Sequence, residues 1–183
     1  MIEEINFQLP IVYLKPEELY FGRKPAIVKT VLGSCLSIAM FNARTRIGAI
    51  CHAVLPYYAE GRSSDFYSRY VDSSIIFLLK QYAKHNIDKS EIDIKIFGGS
   101  DMFKISGCIN NESVGRQNIL AAIETIKSQN LQVTASDVGG CMGRKVIFES
   151  NSGKVLMKMI NRINDDMEGC DCKAKTLKNF NLI

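Results

Sequence analysis

The chain has 183 residues, a formal charge of +4 and 46% hydrophobic residues, the profile of one soluble globular domain able to bury about 70% of its unfolded surface. No stripe of Lys and Arg interleaved with aromatics accompanies the mild positive charge, which argues against a nucleic-acid-binding face. The start, Met1-Ile2-Glu3-Glu4, is acidic without an apolar segment behind it, and the stretch around Ile75 to Leu79 falls far short of the ~20 residues of a membrane span, so a cytoplasmic location is expected.

Residues 1–19 read as a lead-in interrupted by Pro10 and Pro16. Ala26 to Leu32 reads as a strand stopped by Gly33. Cys35 to Phe41 and Ile47 to Leu55 are nearly continuous apolar runs, the pattern of strands buried on both faces. The polar Asn42-Ala43-Arg44-Thr45 between them makes the pair a hairpin. Pro56 has no N–H to give a ladder and ends the second strand. After a loop from Tyr57 to Ser64, the spacing predicts a helix from Asp65 to Lys84, capped by Ser64 or Asp65 and closed at His85. Ile92, Ile94 and Ile96 alternate with charged residues in a half-buried strand that stops at Gly98-Gly99.

Gly107 to Gly115 is a polar turn region. A second helix follows from about Val114 to Ser128, capped by Ser113, with Ile119, Ala122, Ile123 and Ile126 on one side. Leu131 to Asp137 reads as a strand ending at Gly139-Gly140, and Arg144 to Glu149 pairs with Lys154 to Ile160 around Asn151-Ser152-Gly153. The expected organisation is one domain over residues 1–163 and a loosely ordered tail over 164–183. Six or seven grouped strands with two main helices indicate the α+β class: a layered sandwich with a mixed, largely antiparallel sheet.

In a reducing cytoplasm the six cysteines are expected to stay thiols. There is no Cys-x-x-Cys, and Cys170-Asp171-Cys172 lacks a second ligand pair, so no metal is expected. Cys51, Cys108, Cys141, Cys170 and Cys172 read as small buried hydrophobes.

Cys35 differs, because the hairpin brings it toward His52. Pairing Phe41 with Arg46 sets Cys35 directly opposite His52, with Cβ atoms roughly 4.5–5.5 Å apart. A slip of one residue would place Ala53 there and turn His52 to the other face. A thiol beside a base is the core of cysteine nucleophilic catalysis. Backbone N–H groups around Gly33 and Ser34 read as donors to a developing oxyanion. The two Gly-Gly turns lack the endings of phosphate loops and read as strand ends closely approaching a neighbouring backbone.

Several segments together carry a resemblance. They are Leu32-Gly33-Ser34-Cys35, Gly48 through His52 to Leu55-Pro56, Phe97-Gly98-Gly99 with Met102-Phe103, Gly115-Arg116-Gln117-Asn118, and Asp137-Val138-Gly139-Gly140 with Gly143-Arg144-Lys145. In this order, from about Ile27 to Phe148, the chain resembles the chemoreceptor glutamine deamidase family, CheD. The resemblance implies a cytoplasmic hydrolase of bacterial chemotaxis, with an α/β sandwich fold related to a toxin deamidase domain. Its substrates would be glutamine side chains on methyl-accepting receptors, converted to glutamate through a cysteine thioester without a cofactor. It also implies a CheC-type phosphatase as partner. The family's nucleophile falls on Cys35 and its base on His52. A third catalytic threonine falls on Lys29 by strict spacing, or on Thr30 one place nearer. Two other readings are an adaptor that only binds receptor or CheC, and a cysteine hydrolase acting on receptor methyl esters.

Overall fold

The structure, a computed structural model, describes residues 8–58, 64–101 and 113–160. The expected turn at residues 107–115 lies mostly outside these residues. So do the boundary at 163 and the tail.

In chain order the elements are β1 (Ile11–Tyr13), β2 (Leu19–Gly22), β3 (Ile27–Leu32), β4 (Leu36–Asn42), β5 (Ile47–Cys51), α1 (Val71–Lys84), β6 (Ile92–Gly98), α2 (Val114–Ser128), β7 (Ala135–Val138), β8 (Gly143–Glu149) and β9 (Lys154–Ile160). They form a four-stranded sheet ordered β1-β3-β8-β9 and a five-stranded sheet ordered β2-β5-β4-β6-β7. The β1–β3 and β6–β7 pairs are parallel and the other ladders antiparallel. This is the α+β layered sandwich expected, with two sheets where one mixed sheet was read.

Side chains of a strand point alternately to opposite faces, and here that alternation builds two cores. Met40, Ala49, Cys51 and Ile94 meet Ile75, Leu78, Ile119 and Ala122 of the helices. Ala39, Ile50 and Phe97 meet Val28, Leu32, Val146 and Phe148 across the gap between the sheets. The five-stranded sheet is therefore the middle layer, which is why β4 and β5 are apolar on both faces.

Several sequence expectations change, and the strand read over Leu131 to Asp137 is one: β7 starts at Ala135. The lead-in contains β1 and ends on the first residue of β2; the two strands begin shortly after Pro10 and Pro16 and are three and four residues long. Strands that short hold too few residues to show a period.

The hairpin register differs by two residues, with Phe41 paired to Gly48 and Asn42 to Ile47. The Asn42 side-chain oxygen accepts from the Thr45 N–H at 2.9 Å and hydroxyl at 2.8 Å, and Arg46 takes a left-handed φ of 56°, closing a loop of the expected length moved one residue along the chain.

The first helix begins at Val71. Tyr70 before it is extended and bridges Leu55, so residues 64–69 form a separate 3-10 turn. Finally, Cys141 is disulfide-bonded, so it is not the thiol expected.

The second helix has its expected bounds, and Ser113 accepts from the Arg116 N–H at 3.3 Å. His85 occupies the C-cap of α1, as read.

Candidate active site

β3 sends Val28 and Leu32 into the gap between the sheets, and Thr30 lies between them on the same face. β5 sends Ile50 into that gap, and His52 follows by the same alternation. Beyond β5 the backbone of His52 is held by a turn of the lead-in. Its N–H donates to the Glu18 carbonyl at 2.9 Å, and its carbonyl accepts from the Glu17 N–H at 2.8 Å.

The ladder of β4 and β5 continues as a bridge between Leu36 and Ala53, closed by hydrogen bonds of 2.9 and 2.8 Å. Carrying that register one step further pairs Cys35 with Val54 and leaves Cys35 and His52 diagonal. They are not directly opposite, as the sequence had suggested. A two-residue shift preserves the face where a one-residue shift would invert it, and diagonal neighbours about 7–8 Å apart remain within reach of long side chains. Cys35 packs at the edge of the inter-sheet core and is half-buried.

The Thr30 hydroxyl lies 2.7 Å from His52 Nδ1 and 2.9 Å from the Leu14 carbonyl oxygen. A hydroxyl has one proton. With that proton given to Leu14, Thr30 accepts from Nδ1–H, which leaves the Nε2 lone pair free to act as a base. His52 is only 3% exposed, and its Nε2 has no hydrogen-bond partner among the described residues. Lys29, the other candidate for this position, stands over the Tyr13 ring with Nζ 5.9 Å from its centroid.

Electrostatics keeps both reacting groups neutral at rest. Burial pushes the Cys35 thiol up, its own backbone N–H opposes that, and Glu17 reinforces it. Burial pushes the His52 imidazole down, against the pull of the Leu14 carbonyl and of Glu18. Neighbouring Cys51 faces the helices, and burial raises its thiol to about 11, the behaviour of an inert core cysteine.

The turn carrying Cys35 is fastened through three consecutive carbonyls. Gly33 accepts from the Ser100 N–H at 2.8 Å, Ser34 from the Asn118 side-chain amide at 2.9 Å and Cys35 from the Gly99 N–H at 2.8 Å. The N–H groups of Ser34 and Cys35 have no backbone acceptor among the described residues, and that of Cys35 lies by its own sulfur. They suit an oxyanion; Gly33 contributes its carbonyl to the anchoring.

A Cβ at Gly98, where φ is 109°, would lie 2.3 Å from the Cys35 oxygen, so the first Gly-Gly turn makes the close approach expected. Gly140 has open space around its Cβ position and owes its glycine to a φ of 71°, not to a close approach.

At the start of β8, buried Arg144 donates to Asp137 and to the Gly139 carbonyl at 2.7 Å, and to Ser100 Oγ at 2.5 Å. This cluster and Asn118 were not singled out from sequence as parts of a site. A polar Asn118 on the apolar side of α2 was the available signal. Among the described residues no three His, Cys, Asp or Glu side chains come together in a group able to hold a metal.

Comparison with known proteins identifies the family. A family model described as CheD chemotactic sensory transduction matches residues 54–159. The chain is 44% identical over 159 residues to "Probable chemoreceptor glutamine deamidase CheD 2" of Geobacter sulfurreducens, covering 87% of this chain and 96% of the relative. It is 39% identical over 159 residues to "Probable chemoreceptor glutamine deamidase CheD" of Maridesulfovibrio salexigens, covering 82% and 92%. A protein of the same name from Methanococcus vannielii is 31% identical over 157 residues, covering 85% and 99%. An uninterrupted match over 87% of the chain includes positions 30 to 52 wherever it begins, so the likeness extends to the strands ahead of the family model. The chain belongs to the CheD family of chemotactic sensory transduction proteins.

Proposed function

We propose that the chain hydrolyses glutamine side chains of chemotaxis receptors to glutamate and ammonia, with Cys35 as nucleophile, His52 as base and then acid, and Thr30 orienting His52. The names of the relatives support the substrate. The observation that carries the chemistry is the buried Thr30–His52 contact, which leaves Nε2 unpartnered on the face that also holds Cys35.

Because thiol and imidazole rest neutral, His52 Nε2 takes the Cys35 proton as sulfur attacks the carboxamide carbon. The C–S bond forms, and the carbonyl electron pair moves to oxygen, facing the Ser34 and Cys35 N–H groups. When the oxyanion collapses, the C–N bond breaks and His52 returns the proton to the leaving nitrogen, releasing ammonia. Water then gives a proton to His52 and attacks the thioester. The C–S bond breaks and the proton returns to sulfur, leaving glutamate.

The reaction is placed in the cytoplasm. Among the described residues no helix is long and apolar enough to cross a membrane, which is compatible with that placement. A CheC-type phosphatase belongs to this reading as a partner, and its support is the family resemblance.

Cys35→Ala and Cys35→Ser test the assignment. On a receptor fragment, each lowers ammonia release and the amide-to-acid mass change at least about 10⁴-fold, while thermal melting stays close to that of the wild type. Near wild-type deamidation by either variant overturns the nucleophile.

A further inference from the structure

Asn118 is fully buried on a helix face that otherwise meets the sheet with apolar side chains and Gly115. Gly115 lets α2 come close, since a Cβ there would lie 2.6 Å from the Gly99 oxygen. One turn later, the Asn118 side-chain NH₂ donates to the Ser34 carbonyl at 2.9 Å and to the Val54 carbonyl at 3.0 Å. Both of its protons are used. The reverse orientation would set an oxygen against two carbonyl oxygens, so the network fixes which way the amide faces. The remaining Oδ1 is buried without a partner among the described residues. A buried acceptor left unsatisfied is a penalty native structures rarely retain without a reason.

The position of the first contact supplies the reason. The next pair along the β4–β5 register would be Ser34 with Leu55, but the Leu55 N–H donates to the Arg69 carbonyl at 3.0 Å instead. The ladder therefore leaves the Ser34 carbonyl without a strand partner, and Asn118 takes that place. The Ser34 carbonyl and the Cys35 N–H belong to one peptide unit. That unit is planar and trans, so its C=O and N–H point in opposite directions. Holding the oxygen on the helix side aims the Cys35 N–H the other way, where it has no backbone acceptor among the described residues and lies by its own sulfur. Asn118 holds Val54, the register partner of Cys35, with the same group.

We propose that Asn118 is a positioning residue for deamidation, its amide fixing the Ser34–Cys35 peptide so that the Cys35 N–H meets the developing oxyanion. The proposal rests on the reading of Cys35 as nucleophile. It acts at the tetrahedral stage, not on sulfur or on substrate binding.

The test compares two reactions of the same sulfur in wild type, Asn118→Ala and Asn118→Asp. The Asp variant keeps the shape and replaces the donor with oxygen. Deamidation of a receptor fragment passes through an oxyanion; alkylation of Cys35 by iodoacetamide, followed by peptide mass mapping, displaces iodide at a saturated carbon and does not. The expected result is a kcat lower by about 10²-fold, with KM and the alkylation rate each within about threefold of wild type. Unchanged kcat, a parallel fall in alkylation, or loss of a cooperative melt in both variants overturns the proposal. The last two would assign Asn118 to the fold alone. Absence of ammonia release by the wild type would instead sink the deamidase reading, and is distinguished because it does not involve Asn118.

Discussion

Two buried polar clusters join the strands of this protein, and they differ in how completely they are satisfied. Around Arg144 every guanidinium nitrogen has an acceptor: Asp137 for Nε, the Gly139 carbonyl for one terminal nitrogen, which also pairs with Asp137 at 2.7 Å, and Ser100 Oγ with the Met142 carbonyl at 3.3 Å for the other. Ser100 in turn donates to Met142 at 2.6 Å. Around Cys35 the bonding stops short: among the described residues His52 Nε2 and Asn118 Oδ1 are unpartnered, and the Ser34 and Cys35 N–H groups have no backbone acceptor. A closed network has no spare atom to offer a substrate and serves the fold. An open network, held rigidly from behind by Thr30, Gly99 and Ser100, is equipped for chemistry.

Substitutions on each side can break that contrast. His52→Gln keeps a polar group near Thr30 but no base, and is expected to lower kcat about 10³-fold with a melting temperature near that of the wild type. Retained deamidation would show that the open cluster is not the working one.

Arg144→Met should do the reverse, because it leaves Ser100 Oγ, Asp137 and the Gly139 carbonyl without their donor. Denaturant titration is expected to show a loss of about 3 kcal/mol, with activity per folded molecule within about tenfold of wild type. A large kcat loss without destabilisation would erase the distinction.

Thr30→Val is the finest probe, with an expected fall in kcat of about tenfold. Burial opposes the imidazolium, so the acid limb of kcat/KM lies below the ordinary 6.5 and activity is lost as pH falls through it. Removing an acceptor from Nδ1–H further disfavours the protonated ring and moves that limb lower. A limb at or above 6.5, or one that rises in the variant, contradicts the arrangement.

The sequence carried the fold class and the middle layer, because β4 and β5 must be apolar on both faces when one side meets a sheet and the other meets helices. β1 and β2 were invisible for lack of length. The register of the hairpin depended on the Asn42 side chain and on the left-handed Arg46, which no alternation pattern reports. The shared face of Cys35 and His52 survived that misreading because the error was an even number of residues.

Thr30 over Lys29 was legible in principle, since Val28, Thr30 and Leu32 share a parity and Lys29 does not. The fastening of the Cys35 turn was not legible. It depends on α2, Gly99 and Ser100 arriving from distant parts of the chain.

Thr30 and His52 belong to different sheets, so the aim of the imidazole gauges how the two layers are stacked. A slide of one layer past the other by about 1 Å would spoil the alignment and cut turnover by about 10²-fold. The sandwich thus works as a vernier for its own chemistry: force applied to the far sheet enters the ring at Nδ1 and is felt at Nε2, to which that sheet makes no hydrogen bond.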